Sequence, residues 1–278
     1  MSFQHSITPA RSIFDLKLQE IWRYRDLLIL FVRRDFVSKY KQTVLGPAWF
    51  IIQPLLQTVM FTLVFGNIAG ISTDGAPKTV FYLAGITAWN YFANCLNKTS
   101  AVFTQNATLF GKVYFPRAVT PLAIVLSNLI EFAIGLMLFL GFYFYYLSAG
   151  ANIQPNNALF LLPVLILIMG FMGLGLGMLI SAMTTKYRDL QNLVNFGVHL
   201  LMYATPVIYP ISTIPEKYRW IILSNPMTGI IETFKYAFLG IGTFNWYYLA
   251  YSAGFTVMVF LLGLAIFNRT EKNFMDTV

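Results

Sequence analysis

"KYKQTVLGPAWFIIQPLLQ", residues 39–57, runs from a cluster of bases straight into a segment suited to lipid. Within it Trp49, Gln53 and Gln57 recur at i, i+4 and i+8, which places them on one face of a helix, with Pro54 between the glutamines. A proline inside a helix frees the carbonyl four residues earlier, here that of Phe50, and acyl chains offer that oxygen no partner. This face is therefore expected to look into protein or into a wet pathway. Gly46-Pro47 suits the start of the helix, where the missing N–H of proline is not needed.

The rest of the chain has the same character. With 57% hydrophobic residues, 11% charged residues and a mean hydropathy of +0.64, it reads as a polytopic, all-α integral membrane protein, and a soluble domain is excluded. Charge-free stretches lie at 42–73, 79–97, 132–185, 190–215 and 236–268. A span takes about 20 apolar residues. The stretch 132–185 is too long for one helix and is interrupted by "SAGANIQPNNA" (148–158), so it supplies two. Six spans are expected, at 45–66, 79–98, 119–147, 158–183, 190–209 and 244–267. Fifteen of the 19 basic residues fall on one side of this arrangement and four on the other. Bases collect in cytoplasmic loops, so both termini are expected in the cytoplasm. Topology and anionic headgroups account for the net charge of +8, which calls for no nucleic acid. Cys95 is the single cysteine and excludes an intrachain disulfide. No cleavage-like site follows a short apolar run near Met1, so the first span reads as a retained anchor.

Residues 14–40 form a separate element. Leu18, Ile21, Trp22, Leu28, Ile29, Val32 and Phe36 alternate with Arg23, Asp26, Arg33 and Arg34, and the longest apolar run, Leu27 to Val32, is too short to cross. A basic amphipathic helix of this kind lies in the headgroup plane, with Trp22, Arg23, Arg33 and Arg34 as its surface residues. It reads either as a stop-transfer flank or as a rigid element that joins membrane motion to something in the cytosol.

Polar stripes recur beyond the first span: Asn90, Asn94 and Asn97 in the second, and Asn192, Asn195, His199 and Tyr203 in the fifth. Each could be hydrogen-bond glue between helices. Together, in a chain with 17% aromatic residues, they point to a shared polar interior lined by rings. Such an interior suits sugars, which stack an apolar ring face on an aromatic and pair their hydroxyls with amides. Carboxylates that would bind cations or relay protons are scarce. Of eleven acidic residues only Glu131 lies deep in an expected span, one turn from Ser127 and Asn128, where it is either a satisfied structural acid or a coupling group. Gly170, Gly173, Gly175 and Gly177, with Ser181, read as a packing surface.

Enzyme chemistry has little support, because paired acids, a histidine cluster and a metal set are all missing, and His5 and His199 fall in different compartments. No phosphate-binding loop of the type G-x-x-x-x-G-K-[ST] occurs, so ATP and Mg, if they power transport, belong to another polypeptide.

The stretches "RDFVSKYKQTVLGPAWFIIQPLLQTVMFTLVFG" (34–66), "FYLAGITAWNYF" (81–92), "GKVYFPRAVTPL" (111–122), "TTKYRDLQN" (184–192), "TPVIYP" (205–210) and "NPMTGIIETFKYAFLG" (225–240) resemble, in order and over most of the chain, the membrane subunit of ABC-2 type polysaccharide exporters. That family exports O-antigen, capsular polysaccharide and teichoic acid. The resemblance implies a homodimer of six-span subunits with two cytosolic ATP-binding subunits in the bacterial inner membrane, moving a lipid-linked glycan outward. It implies that first-span residues, Trp49, Phe50, Gln53 and Gln57, line the channel, with Asn90, Asn94, Asn97, Asn195, His199 and Tyr203 as further candidates. It also implies a coupling helix at 105–117, where Phe110, Tyr114 and Phe115 would fill a pocket of the ATPase, Lys112 and Arg117 would meet acidic rims, and Pro116 ends the segment. Residues 211–240 resemble a pair of re-entrant helices at the outer face, and the tail, "RTEKNFMDTV", is too short for a glycan-recognition domain. Other readings are an ABC-2 exporter of teichoic acid, capsule, lipid or drug, a secondary transporter coupled to protons through Glu131, and a membrane enzyme acting on polyprenyl-linked sugars.

Overall fold

A computed structural model describes residues 18–41, 43–113, 115–187 and 189–273, and among these every regular element is helical. In order they are α1 (Leu18–Arg23), α2 (Arg25–Tyr40), α3 (Trp49–Phe61), α4 (Lys78–Ser100), α5 (Val102–Gln105), α6 (Ala107–Phe110), α7 (Val119–Ser148), α8 (Leu162–Lys186), α9 (Leu190–Tyr203), α10 (Glu216–Leu223), α11 (Pro226–Leu239) and α12 (Trp246–Asn273). The amphipathic segment breaks at Tyr24, which leaves the helical region with ψ near 21°. Trp22, Arg23, Arg33 and Arg34 all lie at the surface, while residues 14–17 of the expected helix fall outside the described residues.

Among the described residues, four stretches are long and apolar enough to cross a membrane: Gly46–Ile68, Val119–Ser148, Asn157–Lys186 and Trp246–Glu271. They match four of the six expected spans to within a few residues. The other two differ for physical reasons. Helix α4, expected at 79–98, is 23 residues long and so about 35 Å. It is more polar because protein surrounds it: α3, α7, α8, α9 and α11 all pack on it. From Val80 to Ser100 only Asn90, Asn94, Asn97 and Lys98 escape full burial. Helix α9, expected to span 190–209, stops at Tyr203 after 14 residues, about 21 Å, short of the roughly 30 Å of a hydrocarbon core. Pro206 disfavours helical geometry at Thr205, so the chain turns instead of continuing. Residues 211–240 contain a 3-10 turn and two helices of 8 and 14 residues, α10 and α11, neither long enough to cross.

The glycine surface of α8 serves close packing on two sides. A β-carbon on Gly173 would lie 2.7 Å from the Cys95 Cβ of α4, and one on Gly263 of α12 would lie 2.4 Å from the Gly175 carbonyl oxygen. Backbones at this separation exchange dispersion contacts that larger side chains would prevent. The sandwich of α4, α8 and α12 is the frame on which α3, α7 and α9 surround a cavity.

Candidate functional site: a polar cavity and a buried loop

The cavity has a volume of about 790 Å³. The eight candidates Trp49, Phe50, Gln53, Gln57, Asn90, Asn94, Asn97 and His199, contributed by α3, α4 and α9, all line it. The helical period explains the convergence. Asn90, Asn94 and Asn97 follow one another at four and three residues, and Trp49, Gln53 and Gln57 at four and four, so each set forms a stripe on its helix. The stripes meet where Asn90 Nδ2 donates to Gln57 Oε1 at 3.3 Å. Pro54 and Phe50 also face the cavity, so the carbonyl that Pro54 leaves without its helical partner lies beside a polar space. Asn195 and Tyr203 are not part of the lining. Gln191 of α9 explains the first: its Nε2 donates to Asn195 Oδ1 at 3.4 Å and to the Asn97 carbonyl at 3.3 Å, tying Asn195 into a helix contact. Tyr203 lies at the end of α9 with its ring half exposed, and its carbonyl accepts from the Tyr209 hydroxyl at 3.0 Å.

Glu131 stands at the edge of this space between two lysines. Lys39 of α2 donates to Oε2 at 2.5 Å and Lys98 of α4 to Oε1 at 3.1 Å, while Lys98 also donates to Asn128 Oδ1 at 2.6 Å. Of the two sequence readings, this geometry is that of a satisfied acid. Burial first, then repulsion from Lys98, pulls the Lys39 ammonium from its ordinary value down to about 8, against the attraction of Glu131. Lys39 reads locally as a flanking base, and its partner lies 92 positions away, so sequence alone did not place it here. Asn128, one turn before Glu131, is the signal that pointed towards a polar cluster.

The loop expected as one helix over 105–117 holds only the last residue of α5 and the single turn α6, and no regular element follows α6 among its described residues. Phe110 and Phe115 are not available to an outside pocket, which corrects the expectation for these two residues. Both are 4% exposed and belong to a chain of rings. Phe31 of α2 meets Phe115 with centroids 5.7 Å apart, Phe115 meets Phe110 at 5.7 Å, Phe110 meets Phe103 at 5.9 Å, and Phe103 stacks on Phe267 of α12 at 4.7 Å. Arg117, expected to meet an acidic rim, lies over the Phe110 ring at 5.4 Å and donates from Nη1 to the Glu271 carbonyl of α12 at 2.6 Å. Pro116 is buried, Tyr114 lies outside the described residues, and Lys112 and Val113 form an exposed tip.

A fully buried cation also escaped the sequence reading, which counted Lys235 among the loop bases. Its Nζ sits 3.5 Å from the Phe81 ring centroid and donates to the carbonyls of Pro206 and Val207 at 2.6 and 3.2 Å, fastening α11 to the turn after α9. Among the described residues no group of three or more His, Cys, Asp or Glu side chains is placed to hold a metal ion.

Known proteins are similar to this chain along most of its length. An O-antigen export system permease protein RfbA from Klebsiella pneumoniae is 29% identical over 90% of this chain and 94% of its own length. The RfbA of Myxococcus xanthus is 30% identical over 80% and 83%. The polysialic acid transport protein KpsM of Escherichia coli is 22% identical over 86% and 91%. Residues 26–239, which include α2, the cavity walls of α3, α4 and α9, the loop and Lys235, match the family described as ABC-2 type transporter, and the chain belongs to that family.

Proposed function

We propose that this chain is the channel-forming permease subunit of an ATP-driven exporter that moves a lipid-linked polysaccharide, O-antigen above all, across the bacterial inner membrane. The cavity carries this reading: it is lined by two indoles and a set of amides, and Glu131 at its edge is already neutralised by Lys39 and Lys98. Amides and rings hold sugar hydroxyls and ring faces weakly and repeatedly, as a moving chain requires. A proton-coupled route through Glu131 is disfavoured by the same ion pairs. The relatives named for O-antigen export support the glycan class, and those named for polysialic acid transport support capsule as the nearest alternative.

In this reading two copies build one conduit. Only 11% of the apolar window of Gly46–Ile68 is buried within a single chain, against 33–44% in the other three long stretches, so the cavity wall most in need of a neighbour is α3. The membrane-embedded set comprises six elements including α4 and α9, the latter crossing only together with the turn that follows Tyr203, with α10 and α11 re-entrant at the outer face and both termini cytoplasmic. The loop 105–117 couples to two copies of a separate cytosolic ATP-binding subunit, which supplies ATP, Mg and all hydrolysis. Lys112 and Val113 are its contact tip, and Phe110, Phe115 and Arg117 hold that tip in place. The test is reconstitution of the chain with its ATP-binding subunit in vesicles that contain a lipid-linked glycan. Outward movement of the glycan that requires ATP, and fails with a hydrolysis-dead partner, is expected. Movement without ATP would overturn the reading.

A further inference from the structure

Helix α2 is fastened to two different parts of the molecule. Phe31, 3% exposed, meets Phe115 of the loop, and Arg34 lies over the Phe31 ring at 4.7 Å. Further along, Phe36 stacks on Phe50 of α3 with centroids 5.0 Å apart and planes 6° from parallel, and Lys39 reaches Glu131 of α7. Eight residues separate Phe31 from Lys39, about 12 Å of helix. One rigid rod thus touches both the loop cluster and the cavity wall.

The chain beyond this rod runs to a glycine in open space. Lys41 leaves the helix in extended geometry, and Thr43, Val44 and Leu45 are exposed. Gly46 has φ +51°, which favours glycine, and no atom lies within 4 Å of where its β-carbon would be. A glycine in such an open position is where a helix pivots at low cost.

The fastening at the cavity is also releasable. Two ammonium groups serve one carboxylate, so if Lys39 leaves, Glu131 stays paired with Lys98, which Asn128 holds in position. The departing Lys39 regains water and escapes the repulsion of Lys98. A pair with a single cation would instead leave a bare buried acid.

We propose that Lys39 is a releasable clasp. Displacement of the loop by the ATP-binding subunit, carried through Phe115 and Phe31, swings α2 about Gly46, lifts Phe36 from Phe50 and Lys39 from Glu131, and opens the cavity at the end lined by Lys39, Thr43 and Gly46. The clasp rests on the export reading, because it regulates admission to the same cavity.

The experiment uses Phe36→Cys with Phe50→Cys in a Cys95→Ala background, assembled with the ATP-binding subunit in vesicles and bridged by a bis-methanethiosulfonate that reductant removes. Because Phe50 lines the cavity, the reduced state of the same sample is the reference: bridging is expected to abolish the ATP-driven glycan movement that the reduced pair retains, and reduction to restore it, so a folding defect cannot mimic the result. A bridged complex that transports at the unbridged rate overturns the clasp, as does a cysteine pair that never bridges. The rate of bridging gives a second readout independent of transport: ATP turnover slows it if α2 departs from α3, and an unchanged rate overturns the proposal. Absence of transport in the unsubstituted complex would count against the export reading alone, and the bridging rate would still decide the clasp.

Discussion

The Arg117 guanidinium donates to the main-chain carbonyl of Glu271, 154 positions later, at 2.6 Å. This bond ties the loop that precedes α7 to the last described turns of α12, and the cation of the same side chain covers the Phe110 ring. Arg117→Ala is therefore expected to lower the stability of the isolated chain by about 1.5–3 kcal/mol, the range for a hydrogen bond from a charged donor. Thermal melting in detergent without any partner checks it. A residue whose only role was to touch the ATPase would leave that melt unchanged.

The α8–α12 contact yields a second prediction. At Gly263 an added methyl would run into the Gly175 carbonyl oxygen, which is backbone and cannot rotate away. Gly263→Ala is expected to cost at least about 1–3 kcal/mol through overpacking. Gly254→Ala on the same helix, where no atom lies within 4 Å of the added carbon, is the matched control. Comparing the yield and melting temperature of the two variants tests the contact.

What was legible in the sequence and what was not divides along the range of the interaction. The Trp49, Gln53, Gln57 face and the Asn90, Asn94, Asn97 stripe follow from helical spacing within one segment, and the structure brings those six residues together around one space. Phe110 and Phe115 were identified as important, but an aromatic in a basic loop reads alike whether it faces a partner or Phe31 and Phe103. Lys39 and Lys235 were misplaced for the same reason: their partners, Glu131, Pro206 and Val207, lie 28 to 92 positions away. The early end of α9 was signalled by Pro206, yet the apolar run to Tyr209 obscured it.

The two lysines on Glu131 are unequal, and substitution should reveal it. Lys39→Met leaves the carboxylate paired with Lys98, whereas Lys98→Met removes that pairing and the bond to Asn128 together. Both lysines are about a third exposed, so the full penalty of about 3–5 kcal/mol for breaking a buried pair does not apply. Chemical denaturation is expected to rank Lys98→Met as clearly more damaging than Lys39→Met. Equal losses would mean that Lys39 is not the surplus cation.

Protonation of Lys39 makes the contact of α2 depend on pH. Docked, Lys39 keeps its proton only up to about 8, and freed into water it keeps it to the ordinary 10.5. The docked state binds the proton more weakly, so raising the pH from 8 towards 10.5 favours docking, and below 8 the balance is constant. The charged groups facing it are Lys98 from α4 and Glu131 from α7. Spin labels at Ile29→Cys on α2 and Leu126→Cys on α7, both exposed positions, report the separation. Their distance distribution is expected to narrow towards the docked value at high pH, and Lys39→Met is expected to abolish the change.

The cavity amides give the test closest to transport. Gln57 and Asn90 hold one another at 3.3 Å, and Gln57 Nε2 lies 3.9 Å from the Met202 sulfur, a weak contact. If this pair were helix glue, Gln57→Leu would strand the Asn90 amide and cost about 1–3 kcal/mol of stability. If it serves passing hydroxyls, the space around it is wet, Asn90 finds water, and stability changes little. The export reading therefore expects Gln57→Leu to melt near the parent temperature while ATP-driven glycan movement falls. Trp49→Leu, which removes a stacking face, should behave likewise. Loss of stability in proportion to transport would return both residues to a packing role and take the sugar-lined wall out of the argument.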